Sequence, residues 1–348
     1  MSVLCLTACR SDKEGGKGND EADVHVFYYT YSDTYISGVR SALDKALKDR
    51  GISFQDYDGN GNQTTQTEQV QTAITKGAKV IVVNIVNTGS DDAAANIIGM
   101  ASAQGVPVIF FNREVSDDAV RSYDKCVFVG TDAAEAGKMQ GELIGEYLVS
   151  NYETCDLNKD GEISYIMFKG EEGNNEAIFR TRYGVEEADR VLEENSRPPL
   201  KFYDPSNTNK YLVDKNGQWS AAAANEYMTT ALTSFNDESG NMIELVICNN
   251  DGMAEGAITA LNTIGYNTGS GKSIPVFGVD ATDAAQSLIK AGKMAGTIKQ
   301  DAQGMADAIA DIAQNATESG DVLKGTENYN MDENVNKIRI PYSKYTGQ

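Results

Sequence analysis

Positive charge is scarce in this chain of 348 residues: 30 Lys and Arg stand against 51 Asp and Glu, for a formal net charge of -21. A field of that sign repels phosphate backbones and anionic membrane surfaces, which argues against nucleic acid as a partner and leaves neutral solutes and cations. Histidine is scarcer still. The single His25 removes most zinc sites and most histidine-based catalytic designs. No run of 18 apolar residues occurs, so no segment has the length of a membrane-spanning helix. The cysteines Cys126, Cys155 and Cys248 have no CxxC spacing and are read as buried, unpaired thiols.

What the chain does have is a regular alternation of short apolar runs and longer amphipathic stretches. VHVFYY (24–29), VIVVNIV (80–86), VPVIFFN (106–112), ISYIMFKG (163–170), IELVICNN (243–250) and IPVFGVD (274–280) are nearly continuous in their apolarity. Strands of that kind are buried on both faces, as in a parallel sheet. Between them lie helical patterns such as YISGVRSALDKALKDR, where Ile36, Val39, Leu43 and Leu47 share one stripe. The chain is therefore α/β, built of repeated strand–helix units, and its length allows two domains.

Several strands end in, or lead to, a side chain able to hydrogen-bond: Asp33, Asn112, Asn250, Asp280 and Gln300. Ligands of open parallel sheets bind outside the carboxyl ends of the strands, so these five would line one cleft. Their other reading is that Asn and Asp are common helix caps. A second motif is DLNKDGEIS (156–164), which has the oxygens of a calcium loop at Asp156, Asn158, Asp160 and Ser164, with Gly161 at the sharp turn, but Met167 where an EF-hand places its closing Glu. Either it is an ordinary Asp/Asn/Gly turn, or a carboxylate from elsewhere completes the shell. Near the start, Leu6-Thr7-Ala8-Cys9 resembles a bacterial lipobox, in which the Cys becomes the lipidated first residue. Only eight residues precede Cys9, none of them basic, which reads as a shortened signal, and the polar, Gly-rich run to about residue 22 reads as a flexible tether. Together these point to lipid anchoring on the outer face of the cell membrane.

The segments YSDTYISGVR (31–40), VPVIFFNRE (106–114), SYDKCVFVGTD (122–132), DLNKDGEIS (156–164), ELVICNNDGMAEGAITAL (244–261) and SIPVFGVDAT (273–282) are similar, in that order, to the bacterial glucose/galactose-binding protein family. These are type I solute-binding proteins of ABC sugar importers, and the similarity runs from about residue 23 to 345. It implies two Rossmann-like lobes, with parallel sheets flanked by helices, joined by a three-segment hinge. Matching the motifs puts the crossings near Gly130–Asp132, Lys299–Asp301 and residues 333–337. Lobe one is then 23–130 plus 300–333 and lobe two 131–299 plus 334–348, behind the tether of residues 1–22.

The resemblance also implies a sugar pocket. Asp33 would accept from sugar hydroxyls, Tyr35 and Trp219 would clamp the two faces of the ring, and Asn112, Asn174, Glu176, Arg180, Asn250, Asp280 and Gln300 would read its rim. Charge-assisted bonds to hydroxyls and stacking of C–H faces on aromatic rings suit a neutral hexose. Asn174 stands where the family has histidine, Glu176 where it has aspartate and Gln300 where it has asparagine, and the turn-rich stretch SNTNKYLVDKNGQW (206–219) is longer. These departures bear on anomer and epimer preference; D-galactose and D-glucose, or a methyl-galactoside, are expected ahead of a pentose. In the family a distant glutamate closes the calcium loop, here Glu244, so the ligands of a structural Ca²⁺ would be Asp156, Asn158, Asp160, the carbonyl of Glu162, Ser164 and Glu244. The implied partners are ABC permease subunits and, as for some members, a chemoreceptor; the protein would be monomeric and no enzyme. Two rivals stay on the page. Asp33, Glu176 and Asp280 could be a glycosidase's carboxylates, although Arg180 nearby should keep them ionised. The fold also serves as the effector core of transcription regulators, but no helix-turn-helix precedes Val24.

Overall fold

The structure, a computed structural model, describes residues 22–347. Cys9 and nearly all of the expected tether lie outside the described residues. The apolar runs become strands β1 (Val24–Tyr28), β2 (Phe54–Asp58), β3 (Val80–Val83), β4 (Val108–Phe111) and β5 (Cys126–Gly130), followed by β6 (Ser164–Lys169), β7 (Lys201–Phe202), β8 (Leu212–Val213), β9 (Leu245–Cys248), β10 (Val276–Asp280) and β11 (Gly296–Gln300). Three short strands end the chain: β12 (Asn330–Met331), β13 (Lys337–Arg339) and β14 (Tyr342–Tyr345). They form two sheets, ordered β12-β13-β5-β4-β3-β1-β2 and β14-β11-β10-β9-β6-β7, with β8 also paired to β6. All pairings are parallel except β12 with β13 and β14 with β11. This is the two-lobed α/β architecture that the apolar runs implied.

Burial on both faces explains the continuous apolarity. In β1, Val24, Val26 and Tyr28 join one core with the helix Thr34–Asp49, whereas Phe27 joins another under the opposite face. In β3 the alternation is the same, with Val80 and Val82 on the first side and Ile81 and Val83 on the second. Strand β2 escaped the sequence reading because it is the sheet edge. Its residues FQDYD are only half-buried, so it lacks the apolar signature of a central strand.

The chain crosses between lobes three times. After β5, the helix Ala133–Cys155 packs into the second lobe's core through Ala136 and Leu143. After β11, the helix Ala302–Ser319 returns to the first lobe through Met305 and Ile309. The third crossing differs from the expected 333–337. Strand β13 lies beside β5, with Lys337 opposite Phe128 and Arg339 opposite Gly130, so residues up to Ile340 belong to lobe one. Ile340 is packed in the first lobe and Tyr342 in the second, leaving Pro341 as the passage. The reason is pairing: β5 needs a neighbour on its outer side, and the KIR segment supplies it. Among the described residues Cys126, Cys155 and Cys248 are buried and free, and no helix is long and apolar enough to cross a membrane.

Candidate functional site

Where the carboxyl ends of the two sheets face each other, residues of both lobes line one cavity, the place where ligands of open parallel sheets bind. All ten residues singled out for the pocket line it. Asp33, Tyr35 and Asn112 come from lobe one. Asn174, Glu176, Arg180, Trp219, Asn250, Asp280 and Gln300 come from lobe two; Gln300, where lobe one was expected to resume, still pairs with Tyr342 as the last residue of β11 and so belongs to lobe two. Tyr29, Ile36 and Arg113 line it as well and were not found in the sequence. Arg113 directly follows Asn112, so the strand-end rule stopped one residue short of it; Tyr29 was read only as the end of the apolar run 24–29, and Ile36 only as part of the apolar helix stripe.

Both readings of the strand-end polar residues hold at once. Asp33 is the N-cap of Thr34–Asp49, its Oδ1 accepting from the Ile36 N–H at 2.8 Å. Asn174 caps Asn175–Glu194 by accepting from the Ala177 N–H, and Asn250 caps Asp251–Thr263 by accepting from the Met253 N–H. Capping fixes the direction of each side chain, and the other polar atom of each also has a partner: Asp33 Oδ2 accepts from Tyr29 Oη, Asn174 Nδ2 faces Thr88 Oγ1 at 3.5 Å, and Asn250 Nδ2 donates to the Trp219 carbonyl. The backbone is held in uncommon conformations at the same place: Asn112 has φ 59°, Trp219 φ 53°, Asp280 φ 123° and Ala281 φ 57°. Such conformations in residues with a Cβ cost on the order of 1–3 kcal/mol each and persist only where the surroundings impose them.

Trp219 owes its position to a glycine. A Cβ on Gly170 would lie 2.1 Å from the indole Cδ2, so only glycine at the end of β6 lets the ring lie flat there. Trp219 is 8% exposed; its carbonyl accepts from Asn250 Nδ2 and its Nε1 faces Glu171 Oε2 at 3.4 Å. Tyr35 is equally buried, with its hydroxyl near Met305 Sδ.

Three of the buried side-chain atoms that lobe two brings to the cavity have no hydrogen-bond partner among the described residues: Glu176 Oε2, Arg180 Nε and Gln300 Nε2. The other atoms of these side chains are tied down. Arg180 Nη1 donates to the Asn249 carbonyl, and its Nη2 donates to Tyr342 Oη and Gln300 Oε1. Glu176 Oε1 accepts from the Glu114 N–H across the cleft. Leaving buried polar atoms unpaired costs about 1–3 kcal/mol apiece. Burial pushes the Glu176 carboxyl up, and the Asp280 carboxyl well up, despite the opposing charge of Arg180. Arg180 opposes the shift at both groups, in the direction its charge was expected to act, but desolvation is the larger effect. Burial also pulls the Arg180 guanidinium down, but Tyr342, Asp280 and Glu176 outweigh it and the net shift is upward.

On the far side of lobe two, the loop 156–164 gathers around Glu244. Glu244 is 1% exposed; its Oε1 accepts from the Leu157 and Asn158 N–H groups, and its Oε2 from the Ser164 N–H at 2.8 Å. Asp156 Oδ2 accepts from the Gly161 N–H, while its Oδ1 is buried with no partner. Asn158 and Asp160 bond each other, and Asp160 Oδ1 accepts from the Glu162 N–H. Ser164 Oγ sits 2.9 Å from the Met242 carbonyl oxygen. Burial raises the Glu244 carboxyl, opposed by the N–H groups of Ser164, Leu157 and Asn158. Among the described residues no three or more His, Cys, Asp or Glu side chains are grouped as a metal site, because Asp160 is turned onto its own loop. The orphaned Asp156 oxygen and the buried Glu244 nonetheless make an all-oxygen donor set of the kind a hard cation takes.

A family model for a periplasmic binding protein domain matches residues 24–321. Over 320 residues the chain is 35% identical to the D-galactose/methyl-galactoside binding periplasmic protein MglB of Haemophilus influenzae, a match that covers 92% of this chain and 88% of that protein. An ABC transporter solute-binding protein from Bacillus halodurans, solved with bound myo-inositol, superposes with a TM-score of 0.70 at 25% identity, covering 94% of this chain and 96% of the other. One from Clostridium phytofermentans, solved with β-D-glucose, gives 0.72 at 22% identity over 93% and 94%; that likeness speaks to the fold alone.

Proposed function

This chain belongs to the periplasmic binding protein family, as an extracytoplasmic, non-enzymatic sugar-binding component of an ABC transporter, and we propose that its ligand is a neutral aldohexose, D-galactose or D-glucose. The observation that carries this is the set of unpaired atoms in lobe two. Glu176 Oε2 needs a donor, and Arg180 Nε and Gln300 Nε2 need acceptors. A hydroxyl both donates and accepts, so a ring rimmed with hydroxyls satisfies all three. Asp33 adds a carboxylate from lobe one, and Trp219 and Tyr35 offer apolar faces to the ring. The 35% identity to a galactose-binding relative supports the hexose ahead of a pentose.

Trapping follows from the distribution of these groups. Ligand seated on lobe two gains Asp33 and Asn112 only when lobe one swings over it, so ligand favours the closed form. The closed form is then offered to the permease, and a lipid on Cys9 would keep it at that membrane. Calcium is proposed for the loop 156–164, held by Asp156, Asn158, Asp160, the Glu162 carbonyl, Ser164 and Glu244; it would supply positive charge that braces lobe two away from the sugar. Isothermal calorimetry with galactose, glucose, ribose, xylose and myo-inositol tests the ligand. Galactose or glucose should bind tightest, and absence of heat from both up to millimolar concentration overturns the hexose. Chelator should lower the melting temperature and added calcium restore it; equal melting in both discards the metal.

A further inference from the structure

Glu171 does not line the cavity, yet it touches both halves of the device that closes it. From lobe one, Arg113 Nη2 donates to its Oε2 at 2.9 Å and to its Oε1 at 3.1 Å. From lobe two, Trp219 Nε1 faces the same Oε2 at 3.4 Å. The Arg113 side chain is only 5% exposed and that of Glu171 23%, so the pair is well shielded from water. Arg113 is itself rigidly mounted: its Nε donates to the Ile85 carbonyl, Nη2 to the Val86 carbonyl, and its guanidinium lies 4.4 Å from the centre of the Tyr29 ring. The Tyr29 hydroxyl in turn donates to Asp33 Oδ2 at 2.6 Å. An unbroken line of contacts therefore runs from the cavity carboxylate of lobe one, through Tyr29, Arg113 and Glu171, to the aromatic platform of lobe two.

We infer that Glu171 is a positioning residue that latches the closed lobes and, with the same carboxylate oxygen, fixes the plane of Trp219, so that closure and platform orientation are one event. The argument is geometric. When the lobes part, Arg113 stays with Ile85, Val86 and Tyr29, because all its other contacts are in lobe one. Glu171 stays with Trp219, because both are in lobe two. The Arg113–Glu171 ion pair must then break, together with the longer cross-cleft bonds from the Glu114 N–H to Glu176 Oε1 and from Asn174 Nδ2 to Thr88 Oγ1. Breaking a shielded charge pair across an interface acts mainly on dissociation, whereas encounter depends on rim charge. The indole that the same carboxylate faces lies against Gly170, where a Cβ would come 2.1 Å from Cδ2.

This inference rests on the sugar-capture reading, and the test separates the two. Stopped-flow binding of D-galactose and D-glucose is followed through Trp219, the single tryptophan of the chain, in wild type, Glu171→Gln, Arg113→Met and the double variant. Each single variant should release sugar at least about tenfold faster with association within about threefold. The double variant should be no worse than the more affected single, because the two remove one shared contact. In ligand-free protein, Glu171→Gln should shift Trp219 emission and Arg113→Met should not. If Arg113→Met does not fold, Arg113→Lys replaces it, and an intermediate release rate is expected. Release unchanged within twofold in both singles, or effects that multiply in the double, overturns the latch. If wild type binds neither sugar, the hexose reading fails. The latch is then judged in ligand-free protein by spin labels paired across the cleft, where wild type must hold a short-distance population that both singles lose; equal populations overturn it.

Discussion

The two walls of the cleft are built on opposite principles. Lobe one brings side chains that are already content: Asp33 accepts from Ile36 N–H and Tyr29 Oη, and Asn112 Oδ1 accepts from Asn84 Nδ2. Lobe two brings Glu176, Arg180 and Gln300, each with a buried atom left without a partner. The unpaired buried side-chain atoms of lobe one, among the described residues, lie elsewhere, at Tyr28 Oη, Asp44 Oδ1, Asp56 Oδ1, Gln69 Oε1 and Tyr123 Oη. The difference teaches a division of labour. Lobe two bears a desolvation cost that a hydroxyl-bearing ligand would relieve, which on the proposed function makes it the docking wall and lobe one a prearranged cover.

The largest test of that contrast is Arg180→Met, which removes the donor on which Gln300, Tyr342 and the Asn249 carbonyl converge. Sugar affinity should fall by about 2–5 kcal/mol, measured by calorimetry; a loss no larger than that of Asn112→Ala would break the comparison. Next comes Trp219→Ala, which removes the buried ring on the docking wall and should cost about 2 kcal/mol of binding, with a smaller loss for Tyr35→Ala. The third test is one of sign. Glu176→Gln relieves a buried half-paired carboxylate and should raise ligand-free stability by about 1 kcal/mol while weakening sugar binding. Asp33→Ala deletes a helix cap and should lower ligand-free stability by about 1 kcal/mol. Denaturant melts of the two, without sugar, should move in opposite directions, and movement in the same direction removes the asymmetry.

The smallest effect concerns lobe one away from the cleft. Burial, together with the neighbouring Asp44, pushes the Asp56 carboxyl from its ordinary 3.8 up to about 7. The folded form therefore holds this proton more tightly than the unfolded form, so its contribution to stability is complete below pH 4 and is lost as the pH rises to about 7. Asp56→Asn should flatten stability across that window. Since the pair lies outside the cavity, sugar affinity should follow the wild-type pH profile; a change in affinity without a change in stability would contradict the placement.

Much of this was legible in the sequence, and the reasons differ by residue. Strands β1, β3, β4, β6, β9 and β10 announced themselves because burial on both faces forces continuous apolar runs. Asp33, Asn112, Asn250, Asp280 and Gln300 were reachable because parallel sheets present their strand ends to one cleft. Trp219, Arg180 and Glu176 came from the family resemblance, since no periodicity marks a residue that sits in a loop or faces inward from a helix. Glu171 and Arg113 were invisible. Each is one charged residue among many on a chain with 81 Lys, Arg, Asp and Glu in all, and what distinguishes them is a meeting across two lobes. The third crossing was misplaced for the same reason: KIR is too short to register as a strand until β5 is seen to lack a neighbour.

The seating of β13 against β5 has a consequence for biogenesis. A strand from residues 337–339 joins the sheet begun at residue 24 beside β5, so this pairing waits for the tail of the chain. Pairing so distant along the chain is slow to form. In a protein whose place is outside the cytoplasm, the first lobe therefore gains its last parallel strand only at the end of synthesis.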